Sequence, residues 1–84
     1  MTTLKGNWKT QLASDIIRDG VGLELINPSG LVVAEIFRSD KTKTVQVNTF
    51  SNDIPLPIFQ LYIEEACVRL DPFEDGTSLA AAKT

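Results

Sequence analysis

Apolar and polar residues alternate through three consecutive segments, Val21–Ile26, Leu31–Arg38 and Lys43–Phe50, and this pattern predicts one antiparallel meander. Asn27-Pro28-Ser29-Gly30 and Ser39-Asp40-Lys41-Thr42 are its natural turns. Counted outward from those turns, Val21, Ile36 and Val45 fall in one row. Leu23, Ala34 and Val47 form the next row, and Leu25, Val32 and Thr49 the third. All of these share one face, because side chains alternate along a strand and opposed residues point the same way. A one-residue slip would mix them with Glu24, Glu35, Gln46 and Asn48. Segment Leu31–Arg38 is apolar on nearly every position, as suits a central strand covered on both faces.

The stretch before the meander supports two readings. Leu12/Ile16 and Ala13/Ile17 are spaced as on a helix that Gly20 would end. Alternatively Asp19-Gly20 is a two-residue hairpin turn, Ile16 opposes Leu23, and a fourth strand joins the sheet. The extended reading is slightly preferred. Residues 1–10 show no clear period and read as an N-terminal arm that folds back to pack Trp8.

After the meander, Asn52 or Asp53 offers a cap and Pro55 and Pro57 suit a first helical turn. The helix should end at Leu70, since Asp71 precedes Pro72. Phe73 is placed to hook back onto the core. At 100° per residue, Phe59, Tyr62, Ile63, Ala66 and Leu70 form one stripe, with Cys67 at its border, and this stripe should face the sheet. Ile58, Leu61 and Val68 form a second stripe, with Glu65 between them. The fold class is therefore α+β: a three-stranded antiparallel meander, four-stranded under the extended reading, with one C-terminal helix packed on one face. Residues 11–74 form this single domain, and residues 75–84 read as a flexible C-terminal tail.

The second helix stripe has no predicted partner within the chain. Ile26, Leu31, Val33, Phe37 and Phe50 repeat the surplus on the sheet face away from the helix. Large apolar patches seldom stay exposed. A domain of 84 residues buries only about 60–65% of its unfolded surface, so association supplies burial that one chain lacks. The expected partner is a second copy of the chain, since two-fold dimers are the commonest assembly. The candidate interface is Ile58, Leu61, Glu65 and Val68, with stacked outer sheet faces as the alternative.

Composition narrows the chemistry. The single cysteine, Cys67, excludes an intrachain disulfide, and with no histidine a Cys–His zinc site is out. Nothing stands by to activate Cys67 as a nucleophile. The serines lie in turns or near element ends, outside any Gly-x-Ser-x-Gly elbow. Gly20-Val21-Gly22 lacks the rest of a phosphate loop. Asp71 to Gly76 starts like a calcium loop, but Phe73 and Ala82 stand where ligands are needed. No enzyme activity, metal or cofactor is expected. Net charge is −3, and Arg38, Lys41 and Lys43 make the only basic cluster, which argues against nucleic acid.

Glu35, Gln46 and Asn48 remain as a candidate ligand surface on the outer sheet face. The reading is a small non-enzymatic interaction module acting as a homodimer, as an adaptor or an antitoxin- or immunity-like partner. The alternative is a small-ligand binder whose site forms at the dimer cleft. The opening residues lack the apolar run of a signal peptide, and no apolar run spans a membrane, so a cytoplasmic protein, prokaryotic in style, is expected.

Overall fold

The computed structural model describes residues 1–84. Its strands are β1 (Thr2–Lys5), β2 (Trp8–Asp15), β3 (Gly20–Ile26), β4 (Val32–Ser39) and β5 (Thr44–Thr49). They pair antiparallel in chain order to form one five-stranded sheet. Helix α1 (Leu56–Arg69) follows, then a short 3₁₀ turn at Leu79–Ala81. The chain is thus α+β, with two strands ahead of the three-stranded meander. No helix is long and apolar enough to cross a membrane.

The two extra strands overturn the arm expected over residues 1–10. Gly6, at φ 57°, and Asn7 close a two-residue turn that pairs Lys5 with Trp8. The extended reading of residues 11–15 holds, but the β2–β3 turn does not fall at Asp19-Gly20. Asp15 pairs with Gly20, and Ile16–Asp19 form the loop. Asp15 Oδ1 accepts the Arg18 amide at 3.0 Å, and Asp19 takes the left-handed conformation that short polar side chains tolerate. Leu23 therefore opposes Leu12, not Ile16.

The meander keeps its face but not its rows. Leu23 opposes Ile36, Leu25 opposes Ala34, and Val47 opposes Ile36 on the other side. Each pairing is displaced by two residues from the count made on four-residue turns. The reason lies in the turns. Asn27 Oδ1 accepts the amides of Ser29 and Leu31, which extends the first loop to Leu31 and adds a bulge at Leu25/Ile26. The second loop is Asp40–Lys43. An even shift preserves the alternation, so Leu23, Leu25, Ala34 and Ile36 still share the helix-facing side and are buried. Arg38 lies on that same face by alternation, and the shift sets it opposite Val21 and Val45.

Helix α1 starts without a side-chain cap; Pro55 precedes it and Pro57 occupies the first turn. The caps expected from Asn52 or Asp53 do not form. Ile58, Tyr62, Ala66 and Leu70 carry the buried face and join Leu23, Leu25, Ala34 and Ile36 in one core. The helix is rolled by roughly 40° from the expected stripe. Tyr62 explains part of the roll: its hydroxyl donates to the Leu23 carbonyl, which satisfies a buried polar group and fixes the ring. Burial pushes the Tyr62 phenol well above its ordinary value.

Beyond the helix, Phe73 is buried as expected. The segment read as a flexible tail is instead tied to the domain. Asp71 Oδ1 accepts the Leu79 amide at 2.9 Å, Leu79 packs on the core, and Lys83 forms a parallel bridge with Thr44. The Lys83 amide donates to the Lys43 carbonyl at 2.8 Å.

Candidate functional site

Two surfaces concentrate the residues singled out from the sequence. The first is the outer face of the sheet. Gln11 opposes Glu24, Glu24 opposes Glu35, and Glu35 opposes Asn48, giving one polar row across four strands. Gln11 Nε2 donates to Glu24 Oε1 at 2.7 Å, and Asn48 Nδ2 to Glu35 Oε1 at 3.4 Å. Glu35 and Asn48 thus come together, whereas Gln46 opposes Phe37 and stands apart.

Arg18 covers part of this row. The β2–β3 loop folds it back over the sheet, where its guanidinium lies 3.9 Å from the Phe37 ring centroid. It donates to both Glu35 oxygens, at 3.1 and 2.8 Å, and to Asp15 at 2.6 Å. Gly22 permits this, since a Cβ there would lie 2.9 Å from Glu35 Oε2. The hydrogen bonds from Arg18 hold the Glu35 carboxyl below its ordinary value, against the opposing effect of desolvation. Asp15 is lowered too, chiefly by the Arg18 amide and side chain. The Glu35 carboxylate is already engaged by a cation, so the proposed polar ligand surface is internally satisfied.

A pH dependence follows. Carboxyls lowered on folding contribute stability that is complete above their unfolded pKa and fades as pH falls through the folded value. Stability should therefore decline as pH drops below about 4, where free carboxyls protonate. Glu35→Gln should flatten that decline. Denaturant midpoints at pH 7, 4 and 3 for both proteins test this; parallel curves would remove Glu35 from the acid response.

The basic cluster of the sequence does not form a patch. Arg38 is turned under the helix end, donating to the Leu70 and Pro72 carbonyls at 2.8 and 2.7 Å. It also reaches Asp40 Oδ2 at 3.2 Å. Lys43 pairs with Asp75 at 2.9 Å, which holds the Asp75 carboxyl far below its ordinary range. Only Lys41 of the three is exposed and free of such contacts.

The second surface lies between α1 and β5. The helix leans toward the β1 side, where Arg69 donates to Thr2 and, at 3.5 Å, to Thr10. The helix-facing side of β5 is left open. A groove of about 170 Å³ runs there, lined wholly by apolar side chains. Val45 and Val47 form one wall, and Ile63 and Cys67 the other. Leu79 closes one end. Val47 is 52% exposed and Ile63 41%.

The sheet edge beside this groove is also open. Phe50 donates to the Val33 carbonyl, and register alternation then points the backbone groups of Val45, Val47 and Thr49 away from β4. Lys83 takes one end of this edge, at Lys43. Most exposed edges carry charge, proline or a bulge. Strand β1, the other edge, is short, irregular and ends on Lys5. Strand β5, Thr-Val-Gln-Val-Asn-Thr, has none of these protections.

The candidate interface residues divide. Ile58 is buried in the core and is not available to a partner. Leu61 and Glu65 are half-covered, and Glu65 lies 3.7 Å from Arg69. Val68 alone projects fully, at 77% exposure. Ile63, expected in the sheet-facing stripe, and Cys67, expected at its border, line the groove instead. The roll of the helix exchanges the roles of Ile58 and Ile63. No protein-family model, curated protein or solved structure matches the chain.

Proposed function

We propose that the protein is a small non-enzymatic interaction module that works as a homodimer. The observation that carries this reading is the uncovered apolar groove between α1 and β5. Burial of such surface is favourable by roughly 25 cal/mol per Å² before association costs. The lining residues are those that a core would ordinarily cover, and a patch of this kind beside an unprotected edge supports an interface. The outer-face row gives the ligand-binding alternative no comparable support, because Arg18 already satisfies Glu35.

Light scattering after size exclusion tests the proposal. A mass near twice 9.2 kDa is expected, falling toward 9.2 kDa on dilution. Ile63→Asp, which places a carboxylate in the groove wall, should give the monomer at every concentration. Val68→Asp should leave the mass unchanged, because Val68 lies on the opposite border of the helix. A monomeric wild-type chain across the accessible concentration range would end the homodimer reading.

A further inference from the structure

We infer that two copies of the chain join through their β5 edges, antiparallel across a two-fold axis, so that one sheet continues through both. This inference rests on the homodimer reading and names its mode.

Three features of β5 lead to it. The edge presents unpaired amides and carbonyls at Val47 and Thr49, a template that extended backbone completes. The bridge of Lys83 to Thr44 shows this edge accepting extended chain at its first residue. The strand also carries no charge. Each copy bears −3, so two copies meet best where neither presents a carboxylate. The β5 edge and its groove form such a place.

The strand is also its own complement. Antiparallel pairing sets Val47 against Val47 or Thr49 of the second copy, apolar side facing apolar side. Gln46 and Asn48 then fall on the opposite face, where amide meets amide or backbone. The groove walls Val47, Ile63 and Cys67 approach their equivalents across the axis, which closes each groove with the other copy. The alternative of joining β5 to β1 of another chain is heterologous and gives a ring or a filament instead of a two-fold dimer. The bulged, lysine-bearing β1 also fits an extended partner poorly. The second copy is therefore the occupant the surface fits.

Amide hydrogen exchange on the wild-type chain reads this mode directly. In a lone chain the Val47 and Thr49 amides face solvent, while those of Gln46 and Asn48 bond to β4. Edge pairing should slow Val47 and Thr49 by at least about tenfold between dilute and concentrated protein. Gln46 and Asn48 should remain protected throughout. Val47→Lys, at a half-exposed position, should give a folded monomer. A dimeric mass with fast exchange at Val47 and Thr49 would overturn edge pairing and leave the homodimer standing. So would a Val47→Lys protein that keeps the dimeric mass. A wild-type chain that stays at 9.2 kDa removes both.

Discussion

Replacing Arg38 by methionine should destabilise the fold by about 3–5 kcal/mol, the usual cost of breaking a buried ion pair by removing one partner. Arg38 side-chain exposure is 13% and that of Asp40 is 6%, so neither group can turn to water. One guanidinium nitrogen holds the Leu70 and Pro72 carbonyls, and the other meets the Asp40 carboxylate. Asp40 in turn accepts the Glu74 amide at 2.7 Å, and its own amide donates to Asp19. A single side chain therefore ties the end of α1, the β4–β5 turn and the start of the C-terminal segment together. Methionine keeps much of the volume but leaves two carbonyls and Asp40 Oδ2 without their donor. Against a total of roughly 4–13 kcal/mol for a domain of this size, the loss takes at least about a quarter of the margin and, at the low end of the range, all of it. The melting temperature should drop by at least about 12 °C. Denaturant titration of Arg38→Met, Asp40→Asn and the double variant measures the coupling. Additive losses would show that the two side chains act separately.

Arg38 also illustrates what the sequence hid. Counting from four-residue turns places it at a solvated hairpin tip, in a loose cluster with Lys41 and Lys43. The true register is two residues further along in both pairings, because Asn27 holds the first turn open to Leu31 and the second loop falls at Asp40–Lys43. Face membership survived, since alternation is insensitive to an even shift. Row membership did not, and with it went the position of Arg38 and the pairing of Glu35 with Asn48 in place of Gln46. Strand β1 was legible in principle from Gly6-Asn7, a turn dipeptide between Lys5 and Trp8, but its own residues show no alternation.

The groove was partly legible. The hydrophobic pattern puts Val45, Val47 and Ile63 in the helix–sheet contact and Cys67 at its border. Which of them the helix leaves uncovered depends on its roll and on its lean toward β1. Both are set by packing of Ile58 and Tyr62 against strands far away in sequence, which no local pattern records. The docking of Leu79 and Lys83 onto β5 has the same character. A short Leu-Ala-Ala-Ala stretch has little intrinsic order, and its structure here comes from tertiary contact.

Gly20→Ala should cost about 3 kcal/mol or more, at the upper end for overpacking. The reason is space. Gly20 is not among the residues with positive φ, but a Cβ there would sit 2.0 Å from the Arg38 carbonyl oxygen and 2.6 Å from Phe37 Cζ. The first obstacle is backbone and cannot rotate aside. Relief requires β3 and β4 to separate at Gly20–Ser39, which draws Arg38 from the helix end and lifts Phe37 from beneath Arg18. Gly22→Ala makes a sharp comparison on the same strand and face. Its Cβ would meet only the Glu35 side chain, at 2.9 Å from Oε2, and that carboxylate can shift at the expense of its pairing with Arg18. About 1 kcal/mol is expected there. Urea titration of the two variants therefore separates a collision with backbone from one with a side chain. Equal losses, or a Gly20→Ala protein within 1 kcal/mol of wild type, would mean that the β3–β4 pairing opens at this end more easily than its geometry implies.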